Sequence, residues 1–447
     1  KLMIVQNSLE NWLKEVTVVQ NTLILLSKSV EQQQLKNLDL SNVLNVVAPF
    51  LEEVGESAFY SQNLLHFFYG PALRVIKRNG FAYCSNLRTV VGDQIEIIGE
   101  SAFSCCYNLY KIDLSRAKTI KTYAFLNCAL QFVINHDCEE VDFDVFMYNH
   151  QLESIEMTKV KTVNFLELSD YQSLSQLRLP AIEQFEGELD PTIQMTSDSA
   201  ATLKQGREEI PEIIGPWKRT TNKNFKKQLV NQDYFIENRV LYSKKLKTLS
   251  YYLPHTIKGI VLTNQTDIYE EAFYQNSLLN FVHSPRTKII RCRAFAYCCY
   301  FREFRSNCLE IIEEEAFRYC FALKQIDLSL VTQLGKYAFH ECVSLLDIEL
   351  SSLTTLSSRC FANCTSLKQI RANLLAKVED PEDCQHLVIV SQTDQIWNWH
   401  KNLRKRFQEQ FVDGFAERKR MNDVLKRQKV VVAQILGSVK YKEKVDE

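Results

Sequence analysis

Glycine is scarce in this chain, with only 12 residues among 447. No Gly-x-Gly-x-x-Gly, Walker-type or Gly-x-Ser-x-Gly sequence occurs, so the loops that cradle dinucleotides and phosphates and the turn that carries a hydrolase nucleophile are lacking. No Ser/His/Asp, Cys/His or paired-carboxylate set stands out from the rest of the sequence either. The sequence therefore predicts a protein that is not an enzyme and that needs no cofactor.

A large net charge of either sign is also lacking, and so are long apolar runs. Lys and Arg number 53 against 54 Asp and Glu, which leaves a net charge of −1 and no global field to attract nucleic acid. The longest apolar run near the end, at 430–433 with Ile435 and Leu436, is far shorter than the ~20 residues of a membrane span. No signal peptide is visible at the start. These features predict no transmembrane segment and argue against nucleic-acid binding.

What the sequence has instead is a large apolar residue that returns about every 22 residues. The series comprises Phe59, Phe81, Phe103, Phe125, Phe146, Leu168, Phe273, Phe295, Phe317, Phe339 and Phe361. The repeat that starts at Phe317 continues with Cys320, Leu323, Ile326 and Leu328. Such a period indicates a solenoid, because one repeat cannot bury its own apolar side. The Leu-x-x-Ile-x-Leu core matches the short strand of a leucine-rich repeat. We call each repeat a rung.

The motifs resemble those of a known family. The segment Ile-Gly-Glu-Ser-Ala-Phe at 98–103, followed by Cys-x-x-Leu-x-x-Ile-x-Leu, resembles the BspA-type leucine-rich repeat. Residues 238–245, with the tyrosine pair at 251–252, are similar to the strand that opens such arrays. The family occurs in bacterial surface proteins and in protist parasites. The resemblance therefore implies a cell-surface location and adhesion, although members of one fold differ in their ligands.

The sequence thus predicts an α/β repeat solenoid. It would be a leucine-rich repeat horseshoe of 22-residue rungs, with short parallel strands on the concave face and short helical or irregular segments on the convex side. The domains would be an N-terminal cap at 1–37, a first array at 38–190, a polar segment at 191–232, a second array at 233–392 and a C-terminal helix and tail at 393–447. The polar segment either loops out of one solenoid or separates two arrays. The opening strand after it favours two arrays.

Seven cysteines share one place, three residues after the Phe. They are Cys84, Cys106, Cys128, Cys298, Cys320, Cys342 and Cys364. Other rungs place Asn149 or Asn276 there, so the position takes a small, weakly polar group turned inward. Parallel Cβ vectors do not favour disulfides, and Cys and His do not cluster at metal-ligand spacing. We expect buried, reduced thiols and no metal. Together with the missing signal peptide this favours a cytoplasmic location, against the surface location that the resemblance implies.

The segment 393–447 has helical periodicity. Apolar residues follow a predominantly four-residue stride, as in Leu403, Phe407, Phe411 and Phe415, and basic triplets lie at 404–406 and 418–420. The pattern predicts an amphipathic basic helix. It would cap the last rung, dock on a partner or associate with a second copy. Acidic residues between the triplets argue against nucleic acid.

The candidate binding residues lie eight and ten places after each Phe, where a strand turns its side chains to the concave face. In the first array many are aromatic or branched, which is typical of interface anchors. The first-array candidates are Phe67, Tyr69, Val91, Lys111, Asp113, Phe132, Ile134 and Arg178. The second-array face is mostly charged, and its candidates are His283, Arg305, Asp327, Glu349 and Arg371.

These features favour a non-enzymatic leucine-rich repeat protein that presents its concave strand face to a protein partner, as an adhesin or a scaffold. The alternative is a regulatory or sensor protein whose C-terminal helix is the effector or oligomerisation element. The identity of the partner does not follow from the sequence.

Overall fold

The structure is a computed structural model. It describes residues 16–19, 21–168, 171–190, 193–196, 234–237, 239–243, 257–367, 369–379 and 388–390. Residues 1–204 and 233–391 form one compact unit. A second unit, 205–232 with 392–447, lies outside the described residues, and with it the predicted C-terminal helix.

The strands are short and follow one another along the whole described chain. Up to residue 196 they are β1 (Val16–Val19), β2 (Thr22–Leu25), β3 (Ser29–Val30), β4 (Asn45–Val47), β5 (Glu53–Val54), β6 (Phe67–Tyr69), β7 (Val75–Ile76), β8 (Thr89–Val91), β9 (Ile97–Ile98), β10 (Thr119–Ile120), β11 (Phe132–Asn135), β12 (Ser154–Met157), β13 (Thr162–Asn164), β14 (Gln176–Arg178), β15 (Gln184–Glu186) and β16 (Gln194–Thr196). Beyond residue 233 they are β17 (Tyr234–Glu237), β18 (Val240–Ser243), β19 (Gly259–Leu262), β20 (Asp267–Ile268), β21 (Phe281–His283), β22 (Ile289–Ile290), β23 (Glu303–Arg305), β24 (Ile311–Ile312), β25 (Gln325–Ile326), β26 (Gln333–Leu334), β27 (Asp347–Glu349), β28 (Thr355–Leu356), β29 (Gln369–Arg371), β30 (Lys377–Val378) and β31 (Val388–Val390).

The strands stack into two kinds of parallel sheet. One kind joins the longer strands of successive rungs, in the orders β2-β4-β6-β8, β11-β12-β14-β16, β18-β19-β21-β23-β25 and β27-β29-β31. The other joins the two- or three-residue strands that follow them in each rung, such as β5-β7-β9 and β20-β22-β24-β26. Antiparallel hairpins, β1 with β2 and β17 with β18, begin the two runs. The solenoid of parallel strands is therefore confirmed.

The helical half of the α/β prediction is not confirmed. The described residues contain one α-helix, α1 (Gln32–Leu35), and two single-turn 3₁₀ helices, Phe143–Phe146 and Phe165–Leu168. Elsewhere each rung passes its Phe through consecutive turns.

Backbone N–H groups in these turns donate alternately within the rung and to the next rung. This alternation explains why no helix forms there. The N–H of Ala102 closes a turn on Gly99, whereas the N–H groups of Ser101 and Phe103 donate to the next rung, at Thr122 and Ala124. The residues two before and two after the Phe adopt positive φ, as Ser101 does at 53°, and this conformation directs those N–H groups toward the next rung. A helix would instead satisfy each N–H within the rung.

The phenylalanines form a continuous stack inside each array. Phe81 and Phe103 lie 5.1 Å apart with 1° between their planes, and Phe295 and Phe317 repeat both values. The stack is looser, at 5.7 Å, between Phe125 and Phe146, the pair whose spacing is one residue short. Buried apolar residues of 23–193 and of 241–372 form two separate clusters. Where the arrays begin and end stays a prediction.

The cysteine column is buried and its thiols are free, as the sequence predicts. Each thiol donates to the carbonyl of the Phe one rung earlier, for example Cys84 to Phe59 at 3.0 Å. Asn149 takes over the same role, since its Nδ2 donates to the carbonyl of Phe125 at 2.6 Å. In these eight rungs the column therefore holds a small buried donor, a role that the cysteines and Asn149 share.

Candidate partner-binding face

The candidate site is the strand face, which we define as the side chains eight and ten places after each Phe. In β6 the middle residue, Phe68, is fully buried, while Phe67 and Tyr69 are half-buried on the opposite side. The same alternation holds in β8. It follows from the two-residue period of a strand. The predicted residues of these strands thus lie on the outer side of the sheet.

Five of the first-array candidates lie together. The register of β6 and β8 places Phe67 beside Thr89 and Tyr69 beside Val91. A bridge from Thr89 to Lys111 continues the row. Lys111 and Asp113 are exposed, and the Asp113 carboxylate accepts a hydrogen bond from the Ser115 amide at 2.9 Å. The result is a half-exposed apolar patch with a charged margin.

The other three first-array candidates belong to the next sheet. Phe132 and Ile134 lie on β11, and Phe132, at 36% exposure, is the more open of the two. Arg178 is buried and forms an ion pair with Glu156 on the neighbouring strand β12. The break between the sheets falls where the rung of Phe125 is one residue short. The structure therefore does not bring all eight residues into one row.

The second-array candidates mostly engage neighbours on the same face. Arg305 forms an ion pair with Glu303, and Arg371 pairs with Glu349 at 3.3 Å. The Asp327 carboxylate accepts from the amide and the hydroxyl of Ser329, at 3.0 and 2.7 Å. His283 is half-buried, and burial together with the charge of Arg305 lowers its pKa. This face differs in kind from the apolar patch of the first array.

Sequence reasoning missed a second set of residues, which join the two arrays. We call their contact the seam. It consists of residues four, five and seven places after the Phe in both arrays. Asn86 donates to Ser366 at 3.2 Å, and Asn108 donates to Ser344 at 3.1 Å. Later rungs of the first array thus meet earlier rungs of the second, so the arrays run antiparallel along the seam.

Aromatic and charged residues complete the seam. The rings of Tyr107 and Phe321 stack 4.4 Å apart. The Tyr300 hydroxyl lies 2.7 Å from the carbonyl oxygen of Cys128, and burial raises its pKa. Glu153 accepts hydrogen bonds from Lys258 and Arg239 of the second array. In sequence these positions look like solvent-facing turns. The recurrence of polar side chains at one place in the rung is the only signal in the sequence. That these side chains are buried is visible only in the structure.

Other kinds of site find little support in the described part of the chain. It contains no group of three or more His, Cys, Asp or Glu residues arranged to hold a metal ion. No helix there is long and apolar enough to cross a membrane.

Comparisons with solved structures find other leucine-rich repeat proteins. A leucine-rich repeat protein from Bacteroides ovatus is 16% identical, with 85% of this chain and 91% of that chain covered and a TM-score of 0.27. The pneumococcal vaccine antigen PcpA is 15% identical, with 87% and 85% covered and a TM-score of 0.28. A leucine-rich cell surface protein from Faecalibacterium prausnitzii is 18% identical, with 84% and 89% covered and a TM-score of 0.26. No curated protein matches the sequence.

A family model gives the assignment. The model of the BspA type leucine rich repeat region matches residues 24–153, 75–186 and 266–380, which together make up more than half of the chain. These ranges contain the phenylalanine stack, the cysteine column and most of the strand face. The chain therefore belongs to the BspA-type leucine-rich repeat family.

Proposed function

We propose that this chain is a non-enzymatic binding protein that holds a protein partner on the strand face of its first array. Repeats of this family typically mediate protein interactions. The observation that carries the proposal is the patch of Phe67, Tyr69 and Val91, three large apolar side chains half-exposed side by side. The second array has Glu303 and Arg305 at equivalent positions, so the scaffold does not need apolar residues there.

Energetic arguments support binding through this patch. Apolar side chains on the outer side of a strand add little to the core and increase the risk of aggregation. Aromatic residues are over-represented among interface hot spots, where truncation costs about 2 kcal/mol or more. Phe132 and Ile134 would extend the contact to the next sheet. Lys111 and Asp113 would form its polar margin.

A pair of substitutions tests the proposal. Phe67→Ala with Tyr69→Ala should leave the thermal midpoint nearly unchanged and weaken binding of the partner that the wild-type chain captures. Glu303→Ala with Arg305→Ala is the matched control at the same positions of the second array. It should leave that binding intact. If the aromatic pair instead unfolds the first array, these residues belong to the core and the proposal fails.

The predicted domain boundaries and the C-terminal helix stay proposals. The aromatic stride of 393–447 supports a segment that docks on a partner or joins two copies, which would make the protein a regulator or sensor. Removing 393–447 and measuring the mass in solution by light scattering tests self-association. An unchanged mass would count against it. An adhesin and an intracellular scaffold would both use the same strand face.

A further inference from the structure

A pocket lies on what we call the turn edge, the side chains two places before each Phe and one or two places after it. The pocket spans three successive rungs of the second array and has a volume of about 570 Å³. Its lining includes Glu315, Arg318, Tyr337, His340, Arg359 and Asn363. Small-molecule sites measure about 300–1,000 Å³, so the pocket is large enough for a ligand of that class.

Backbone hydrogen bonds hold the lining residues side by side. In one rung the amide of Arg318 donates to the carbonyl of Glu315 at 3.1 Å. In the next rung the amide of His340 donates to the carbonyl of Tyr337 at the same distance. The amide of Glu315 also donates to the carbonyl of Lys336 in that next rung, at 3.0 Å. The backbone around the pocket is therefore fixed both within each rung and between rungs.

Two half-buried aromatic rings form part of the wall. The rings of Tyr337 and His340 have centroids 5.6 Å apart and planes at 83°. The guanidinium carbons of Arg318 and Arg359 each lie 5.9 Å from the centroid of the Tyr337 ring, and Arg359 Nη1 donates to the Tyr337 hydroxyl at 3.2 Å. Burial is the main cause that lowers the pKa of His340, so its ring is neutral near pH 7. Rings that are already held in place lose little conformational entropy when a ligand binds.

The polar groups of the pocket include both donors and acceptors. Arg318 Nη1 donates to the Glu315 carboxylate at 2.6 Å, and Nη2 donates to the Tyr319 hydroxyl at 3.4 Å. Each of these two nitrogens carries a second N–H group. Asn363 Nδ2 donates to the Glu341 carboxylate at 2.8 Å, and the amide oxygen of Asn363 is an acceptor. A ligand can therefore both donate to this pocket and accept from it.

This combination favours a neutral sugar over an anion. Glu315 forms ion pairs with Arg318 at 2.6 Å and with Arg293 at 2.7 Å, so an oxyanion here would meet a carboxylate. Glu341, beside Asn363, adds a second carboxylate. A sugar hydroxyl donates and accepts, which suits a mixed set of polar groups. The C–H hydrogens on one face of a pyranose ring carry partial positive charge, which suits the negative face of an aromatic ring.

The aromatic wall is not a requirement of the repeat. Ser101 and Ser104 of the first array stand at the places that Tyr337 and His340 occupy in the second. The amide of Ser104 donates to the carbonyl of Ser101 at 3.1 Å, so the same turn forms with small side chains. The two rings are therefore not needed to fold the turn, and a binding role accounts for them.

We propose that this pocket binds a pyranose unit of a neutral glycan. The sugar ring packs on Tyr337, and its hydroxyls form hydrogen bonds with Arg318 and Asn363. The pocket shares no residue with the strand face. The inference therefore goes beyond the proposed function and does not depend on it.

The first test compares two tyrosines at the same place in the rung, in the full chain. Tyr337 and Tyr123 have φ values of 55° and 58°, a conformation that glycine adopts without strain. Saturation-transfer NMR should show saturable binding of at least one of the methyl glycosides of glucose, galactose, mannose and N-acetylglucosamine. Tyr337→Gly should bind that glycoside about tenfold more weakly, because the stacking face is lost, whereas Tyr123→Gly should bind it as the wild type does. If no glycoside binds, or if Tyr337→Gly binds it equally well, the proposal is overturned.

The second test checks the position and the charge of the ligand. Asn363→Gly, at a φ of 60°, removes the amide without backbone strain and should also weaken glycoside binding. Unchanged binding would overturn the proposed site. Inorganic sulfate at constant ionic strength should not displace the glycoside, and displacement would mean an anion site instead. Phe67→Ala with Tyr69→Ala should keep glycoside binding, since a loss would move the sugar to the strand face and overturn the proposal.

Discussion

At the scale of single residues, each position in the rung has a structural role. Only some of these roles can be inferred from the sequence. The regular return of Phe and Leu predicts burial directly. That Cys and Asn exchange predicts a small inward group, but not that its task is to donate to the carbonyl of the preceding Phe. The positive φ of Ser101 and its equivalents is not visible either, because glycine, the usual residue for that conformation, is absent there.

The cysteine column should resist alkylation in the native protein. Burial raises the pKa of Cys320 and Cys342 well above that of an ordinary thiol, so little reactive thiolate forms near neutral pH. Mass spectrometry after brief treatment with iodoacetamide should find these thiols free and unmodified, and modified only after unfolding. The half-buried Cys308 is the control and should react sooner. Stoichiometric disulfides between consecutive rungs would contradict the prediction.

His66 should make the protein less stable in mild acid. Its pKa is about 3 in the folded chain, mainly through burial, against the model-peptide value of about 6.5. The unfolded chain therefore binds a proton first as the pH falls. Stability is complete above pH ~6.5 and declines toward pH ~3, by up to about 1.4 kcal/mol for each pH unit. Urea unfolding at pH 7.5 and 5.5 should show that His66→Gln loses less stability than the wild type. His136→Gln, at an exposed position, should behave as the wild type does.

At the scale of elements, the register of the strands was predictable. The conformation of the turns that carry each Phe was not. A 22-residue period fixes which residues pair, as Phe67 with Thr89. The expected short helices fail because alternate N–H groups, such as those of Ser101 and Phe103, donate to the next rung. These hydrogen bonds depend on the neighbouring rung, so local helix propensity does not predict them. The missing residue in the Phe125 rung was visible in the sequence, but the break in the sheet beside that rung was not.

The ring stack should dominate the stability of the second array. Phe317 is fully buried between Phe295 and Phe339, at centroid distances of 5.1 and 5.2 Å. Phe317→Ala should cost about 3–5 kcal/mol, since it removes a ring and leaves a cavity. Leu330→Ala, at 51% exposure in the same rung, is the control and should cost far less. Hydrogen exchange should show the loss mainly in adjacent rungs, because coupling in a solenoid is between neighbours. Equal loss in every rung would argue for a single cooperative unit.

At the scale of the whole molecule, the seam joins the two arrays through side chains of both. The sequence gives the columns from which the seam is made, but not which rungs meet. Contacts such as Asn86 with Ser366 join residues far apart in sequence, and the repeat offers many equivalent pairings. The strand face was therefore predictable, whereas the seam required the structure.

The ion pairs of Glu153 should couple the stability of the two arrays. Its side chain is 13% exposed and accepts from Lys258, at 8%, and from Arg239. Glu153→Gln leaves these cations facing a neutral amide, and breaking a buried pair in this way costs about 3–5 kcal/mol. Glu183→Gln is the matched control, because Glu183 meets Lys161 at 3.5 Å in an exposed pair that contributes little. Hydrogen exchange should report the loss in β12 of the first array and in β18 and β19 of the second. Loss confined to the first array would mean that the seam transmits no stability.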